Sequence, residues 1–507
     1  MKRFKVALVF LVCFLAPSVA AMAQTTGNIR GTVTDDTGAV LPGATVTVHS
    51  GAVIGGSRST PTNELGVYRF PSNPIGTYAV EVSMDGFETF RMENVSVAIN
   101  STATVNVTLK LATVAETITV VGESPVVDVT QSGISTSYKN EMVQELPTYR
   151  NFYDYVQLAP GMSAIYSGGQ GDRTVAFGSN QQSNSWHIDG IETSAPETGS
   201  SWIEVNPDEI EEVQIMGVGA PAEFGNATGA VFNVVTKKGG DEFRGAASYF
   251  VQLDDLTGTN IDADELATFG LDPFPFKRDE YKDFTGQIGG PIAPGKAWFY
   301  ASTEIVRDAS VQPGTDPSIS GADLSPIERF TGKGTFRLGD RHELGTMFHL
   351  DDWDFIAGGN PFTAASAAYV ERGITYGWGA HLTSTLSANT LFEAKYAGWW
   401  ADDIHDSPTG TFEAAFIDWT PPGGGPPTYS GGTWWPWDYV TWSQQFKAKA
   451  THYTEDFLAS QHEFKFGVQL ARGDAKTNVS AGPNGFYDYS YYGYLYRVYQ
   501  DPYQYGG

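Results

Sequence analysis

Cysteine is all but absent: a single one, Cys13, occurs in 507 residues. Disulfides, cysteine-based metal sites and cysteine nucleophiles are thereby excluded from the chain beyond it. Cations are also scarce, with 31 Lys and Arg against 58 Asp and Glu and a formal charge of −27. That balance argues against a nucleic-acid partner, because phosphate binding needs clustered Lys and Arg. After Ala23 no apolar run is long enough for a membrane helix, so any crossing of a bilayer must use strands closed into a barrel. Phosphate loops, nucleophile elbows and paired Ser/His motifs are missing as well. The sequence therefore nominates no catalytic residue, no cofactor and no resident metal.

What remains plentiful is Gly (57), Phe (30), Tyr (25) and Trp (12), while charged residues are only 18%. This mix suits mainly β structure with many turns and interface aromatics. The length suggests about three domains. Residues 1–23 read as a signal peptide: Lys2, Arg3 and Lys5 precede an apolar core, Val6 to Ala16, and Ala21-Met22-Ala23 offers a small-x-small cleavage site before Gln24. Cys13 follows Val12 and is itself followed by apolar residues, which disfavours a lipoprotein.

Residues 24–112 alternate apolar and polar over short runs, as in Tyr78 to Ser83 and Val105 to Leu109, with turn signals at Asp35-Asp36-Thr37-Gly38 and Leu41-Pro42-Gly43. That is the period-two pattern of half-buried strands, and it predicts a β-sandwich. Asp35 and Asp36 read as a surface turn in preference to a calcium site. The runs Gly31-Thr-Val-Thr-Asp35, Leu41-Pro-Gly-Ala-Thr45, Gly66-Val-Tyr-Arg-Phe70 and Gly76-Thr-Tyr78 resemble the carboxypeptidase regulatory-like domain. The resemblance implies a transthyretin-like sandwich of ~7 strands. It does not imply a carboxypeptidase, because no metal-ligand spacing accompanies it.

Residues 125–240 combine two short amphipathic helical stretches, Glu141 to Leu146 and Phe152 to Leu158, with short apolar strands. Ser163 to Ser185 reads as a Gly- and Ser-rich loop facing a lumen. Asp189-Gly190 is a hairpin dipeptide, and Ile210 to Ile215 and Val231 to Val235 read as strands. The set Asp189, Gly190, Gly219, Phe224, Gly225, Gly229, Asn233, Thr236 and Lys237 resembles the signature of the plug domain of TonB-dependent outer-membrane receptors. The run Glu145-Leu-Pro-Thr-Tyr-Arg-Asn-Phe152 resembles the start of that domain. Ala230 stands where the family has a second consecutive Gly, and Tyr149 where Gly is common. By the same resemblance residues 113–124 form a linker holding a TonB box, Glu116, Thr117, Ile118, Thr119, Val120 and Val121. Such a box would be an extended, mobile segment that adds as an edge strand to a periplasmic energy-coupling protein. By spacing alone the stretch reads as a last sandwich strand or a linker. Arg150 and Arg173 are candidates for contact with the barrel wall or a ligand.

Residues 241–507 change to longer alternating strands. Phe243, Gly245, Ala247, Tyr249, Val251 and Leu253 oppose Arg244, Ser248 and Gln252; His462, Phe464, Phe466, Val468 and Leu470 oppose Gln461, Glu463, Lys465 and Gln469; Phe392, Ala394, Tyr396 and Trp400 oppose Glu393 and Lys395. Transmembrane barrel strands need ~9–11 residues, apolar towards lipid. About ten such strands fit, against the ~22 of plugged outer-membrane transporters, so the chain is expected to be a fragment or an incomplete gene product with a partial barrel. Trp399-Trp400, Trp434-Trp435-Pro436-Trp437 and Tyr487 to Tyr499 read as interfacial girdles, with sugar stacking as the alternative. Asp351, Asp352 and Asp354, and Asp402, Asp403, His405 and Asp406, read as solvated loop acids in preference to metal sites.

The resemblance implies a non-enzymatic receptor in the outer membrane, in contact with lipid and with a TonB-type coupling protein. It would take up a small-molecule or oligomeric ligand: a siderophore, an oligosaccharide or a peptide. The alternative is a secreted or surface carbohydrate-binding adhesin.

Overall fold

The computed structural model describes residues 26–506 except 54, 113–116, 122–134, 147–149, 151, 168–169, 196–197, 218, 221–223, 225–226, 260, 269, 274–276, 312–313, 316–325, 340, 358–359, 388, 407–414, 420–426, 432–436, 458–459, 480–485, 492–493 and 500–502. The proposed signal peptide lies outside the described residues.

Nine strands open the described chain: β1 (Thr26–Asp35), β2 (Thr45–His49), β3 (Ser57–Pro61), β4 (Val67–Pro74), β5 (Gly76–Ser83), β6 (Thr89–Val97), β7 (Thr102–Thr104), β8 (Val107–Leu109) and β9 (Thr117–Val121). They form two sheets, β4-β1-β7 with β8 also on β1, and β3-β2-β5-β6-β9. The alternation along β1 drives Ile29 and Val33 into the space between the sheets, where Val46, Val48, Tyr68, Val80 and Val107 meet them. The Asp35 carboxylate accepts hydrogen bonds from the Thr37 and Ala39 amides and the Thr37 hydroxyl, so this acid closes a turn as expected. Those bonds, the Thr37 hydroxyl foremost, lower its pKa.

The middle of the chain gives β10 (Ser135–Lys139), helices α1 (Asn140–Glu145) and α2 (Phe152–Gln157), β11 (Met162–Ser167), β12 (Gln170–Ala176), β13 (Ser185–Ile188), β14 (Ile191–Glu192), β15 (Ile210–Met216) and β16 (Val231–Thr236). Five strands form one sheet in the order β10-β15-β16-β13-β14, with β13 and β16 parallel. β15 and β16 are buried nearly throughout, so the polar Glu212, Gln214, Asn233 and Thr236 are buried alongside their apolar residues. The stretch expected to be a lumen-facing loop, Ser163 to Ser185, instead contains the β11–β12 hairpin.

The remainder builds a ten-stranded antiparallel sheet from β17 (Arg244–Leu253), β18 (Lys277–Ala293), β19 (Ala297–Val311), β20 (Ile327–Arg337), β21 (His342–Ala357), β22 (Tyr369–Ser387), β23 (Thr390–Asp406), β26 (Trp437–Phe457), β27 (Ser460–Val479) and β30 (Tyr503–Gly506). A second small sheet holds β24 (Ala415–Asp418), β25 (Thr428–Gly431), β28 (Phe486–Tyr491) and β29 (Tyr494–Tyr499). A third helix, α3 (Ala263–Thr268), lies between β17 and β18. Several strands of the large sheet exceed the expected length: β26 has 21 residues. At ~3.3 Å per residue it reaches roughly 70 Å, well beyond a ~30 Å hydrocarbon layer even when tilted. One end of the sheet has tight connections, such as residues 294–296 and 388–389, and the other has long ones, such as 254–276 and 407–436.

The two faces of this sheet differ in kind. Tyr249, Val251, Phe284, Ile288, Ile305, Phe330, Phe466, Val468 and Leu470 are exposed, while Asp283, Thr285, Glu304, Thr331, His349, Asp351, Lys395 and Gln445 are buried. A water-soluble domain would invert that arrangement; a membrane barrel filled by its own domain requires it. The middle domain supplies the filling, and its core runs on into Met347, Ala397, Trp399 and Ala401 of the sheet.

Candidate functional site

The local turn at Asp189-Gly190 organises the contact between the middle domain and the sheet. Both residues take positive φ, 47° and 69°, and close the hairpin that pairs Ile188 with Ile191. The turn leaves the Asp189 carboxylate facing the end of β16. There it accepts hydrogen bonds from the Thr236 amide (3.0 Å) and hydroxyl (2.7 Å). Lys333 of β20 reaches the same carboxylate at 2.7 Å and donates to the Thr236 carbonyl at 2.9 Å. Lys395 of β23 donates to the Asp189 carbonyl at 2.5 Å. Two signature residues 47 positions apart are thus joined to each other and to two strands of the sheet.

The other signature residues are spread along the β13–β16 pair and the segments that lead into it. Lys237 donates to the Asp208 carbonyl at 2.7 Å. Asn233 is buried opposite His187 in the parallel β13–β16 pair. His187 packs edge-on to Phe224 at 5.1 Å, and burial, then Lys447 and Lys395, hold its imidazole well below the usual pKa. Gly219 has φ of 87°, in the region that favours glycine. Gly229 permits a close approach: a Cβ there would lie 2.5 Å from Asn184 Oδ1 and 2.7 Å from Ser179 Oγ. Gly225 lies outside the described residues.

Arg150 binds the barrel wall, one of the two contacts expected of it. Its guanidinium sits 3.0 Å from Asp208, 2.7 Å from Asp283 of β18, and 3.7 Å over the ring of Phe250 in β17. Burial pulls its pKa down, but Asp283 and Asp208 outweigh that and leave it raised. Asp208 is pushed up by burial and pulled down further by the Ser248 hydroxyl and Arg150, so its carboxyl ends below the ordinary value. Arg150 has φ of 61°, a left-handed conformation costing on the order of 1 kcal/mol that the surrounding pairing holds in place. The side chain of Arg173 lies outside the described residues.

A second ionic junction was not read from the sequence. Arg329 of β20 meets Glu204 of the middle domain at 2.5 Å, Glu304 of β19 at 2.6 Å and Asp351 of β21 at 3.0 Å. Asp351 also meets His349 at 3.0 Å and accepts from the Glu204 amide at 3.1 Å. Thr331 donates to Glu209 at 3.3 Å, and burial raises the Glu209 pKa. A third junction fixes Glu192: Gln445 donates to its carbonyl at 2.9 Å and accepts from its amide at 3.1 Å, and Trp399 Nε1 donates to the same carbonyl at 3.2 Å.

The loop acids change place. Asp351, Asp352 and Asp354 lie within β21, and Asp402, Asp403, His405 and Asp406 within β23; Asp351, Asp403 and His405 are buried. His405 lies 3.4 Å from Glu371 and 3.7 Å from Asp403, and this trio is the described group whose donor atoms converge closely enough for a metal ion. Trp400 joins an aromatic row with Tyr376 (5.9 Å), Phe348 and Phe330 across adjacent strands, as a girdle does. Trp399 points the other way, into the middle domain. Trp434, Trp435 and Pro436 lie outside the described residues, as do the side chains of Tyr487 to Tyr499.

Residues 28–110 match the carboxypeptidase regulatory-like domain, and residues 125–231 match the TonB-dependent receptor plug domain. The chain carries the plug domain of a TonB-dependent receptor. It is 27% identical over 291 residues to the TonB-dependent transporter Oar of Myxococcus xanthus, covering 56% of this chain and 27% of that protein. The fold resembles the outer membrane transporter YddB of Escherichia coli (TM-score 0.54, 14% identity, 73% of this chain and 52% of that one). It likewise resembles the ferripyoverdine receptor of Pseudomonas aeruginosa (TM-score 0.52, 14% identity, 73% and 47%). The chain thus spans about half the length of these solved relatives and 27% of Oar.

In this receptor the middle domain is the plug, and the sandwich sits at the tight-turn end of the barrel sheet. Gly55 donates to Asp241 at 2.9 Å, and Arg69 stacks over Tyr453 at 4.9 Å. The plug is gripped directly: Ile99 donates to the Glu212 carboxylate at 3.3 Å and accepts from Gln214 at 3.1 Å, with Ile75 and Val235 packed beside it. A cleft of about 980 Å³ remains between sandwich, plug and barrel, lined among others by Arg58, Lys237, Arg337 and Glu343.

Proposed function

We propose that this receptor serves energy-coupled uptake of a ligand across the outer membrane. The observation that carries the reading is the plug held against the polar face of a sheet whose opposite face is apolar and exposed. Arg150, Asp189 and Arg329 pin it there by ion pairs that can be broken and remade. The tight-turn end, with its sandwich, faces the periplasm, because barrels of this type keep short turns on that side. Residues 1–23 export the chain, and Glu116 to Val121 receive a TonB-type coupling protein. The ligand class stays as wide as siderophore, oligosaccharide or peptide.

The full gene product should fractionate with the outer membrane and migrate faster on a gel before boiling than after. A secreted or surface adhesin would do neither, and that outcome would overturn the proposal.

A further inference from the structure

The coupling segment reads by family resemblance as a mobile strand and by spacing alone as a last sandwich strand or a linker. Its described part, β9, is the fifth strand of a sandwich sheet. It runs parallel to β6 with Thr89 opposite Thr117, Phe90 opposite Ile118, Arg91 opposite Thr119, Met92 opposite Val120 and Glu93 opposite Val121. Among the described residues β9 pairs on one side only, so the sheet ends there. Glu116 lies outside the described residues.

Two physical points follow from that placement. A strand already fixed in extended geometry has met the conformational cost of ordering, roughly 1–2 kcal/mol per residue, before any partner arrives. A parallel strand also turns its backbone groups alternately to either side, so pairing with β6 leaves the other row directed outward. Addition of a partner strand to that outer edge breaks no existing pairing, whereas stripping β9 from β6 would break five residue pairs.

We propose that the sandwich presents the coupling strand as a docked platform, and that the periplasmic coupling protein adds its strand to the outer edge of β9 while β9 stays on β6. This rests on the proposed transport function. It gives the sandwich a role: load applied to β9 enters the sandwich and passes to plug strand β15 through Ile99, clasped by Glu212 and Gln214, and to β10 through Lys139, which donates to Ser96 at 2.8 Å.

The test uses the full chain in detergent, in a Cys13→Ser background. Arg91→Cys with Thr119→Cys places thiols on register partners, and neighbouring strands ~4.8 Å apart are within disulfide range. Arg91 makes only half-exposed ion pairs to Glu81 and Glu93, so its loss is tolerable. Arg91→Cys with Thr117→Cys is the out-of-register control. Mild oxidation should lock the first pair and not the second; equal locking, or none, overturns the docking. The purified periplasmic domain of the host's TonB-type protein is then titrated onto locked and reduced receptor. Affinities within about twofold of each other support the platform. A tenfold or greater loss on locking, restored by reductant, shows that the strand must leave and overturns it. No binding to either form overturns the transport reading of this segment and the platform with it, while the cross-link still reports the docking independently.

Discussion

Asp189 carries more of the plug's attachment than its partial exposure suggests. Its carboxylate ties Thr236 to the hairpin and neutralises Lys333, and its carbonyl receives Lys395, which is itself almost fully buried. Asp189→Asn keeps the shape and one acceptor but removes the charge, leaving Lys333 beside the buried Lys395 without its counter-ion. Breaking a buried pair from one side costs about 3 kcal/mol, so the variant should show a lower urea midpoint and faster proteolysis of the plug. An unchanged midpoint would mean that the Lys333 contact contributes nothing. At this scale the sequence was half legible. Asp189, Gly190 and Thr236 announce themselves through turn chemistry and a spaced motif, because their geometry is local. Lys395 and Arg329 do not: each is one cation on the polar face of an alternating strand. Their partners depend on how strands and plug are registered, and Lys395 is 206 positions from the residue it binds.

Strands and helices were easier to anticipate than their neighbours. The helix at Asn140–Glu145, the buried strands β15 and β16, and the alternation along β17, β23 and β27 follow from periodicity, which is a property of consecutive residues. The pairing of β9 with β6 follows from no local pattern, since a β-prone run of five residues pairs equally well with several edges. The plug's short helical turn at Pro207–Glu209 offers a prediction of its own. Asn206 caps it, accepting from the Asp208 amide at 2.7 Å, and Asp208 pairs with Arg150. Because the folded pKa of Asp208 lies below its ordinary 3.8, its stabilisation is fully present above that value and is lost as pH falls through the folded value. Pepsin digestion followed downward from about pH 4 should show plug protection declining. In Asp208→Asn the decline should flatten, with protection below the parent's near pH 4 and converging on it at the lowest pH. A decline identical to that of the parent would assign the acid sensitivity to other groups.

For the molecule as a whole the medium is decisive. Val468 in β27 is exposed on the apolar face between Phe466 and Leu470, also exposed. In water an arginine there would change stability by less than about 0.5 kcal/mol. In a bilayer interior the same change costs ~2–4 kcal/mol. Val468→Arg should therefore reduce the heat-modifiable, membrane-inserted fraction of the full gene product, while Gln469→Arg on the plug side should not act through lipid. Equal tolerance of both would argue against the barrel. The order of strands in the plug has a mechanical corollary. β10 is the outermost member of its sheet and follows β9 in the chain, so the share of traction that runs along the backbone, unlike the share that enters β15 through Ile99, meets the border of that sheet before its middle. Five residue pairs with β15 can then be peeled away in succession, instead of all being sheared at once. The Asp189 clasp, on strands beyond β15, would keep its grip on the wall while that border gives way.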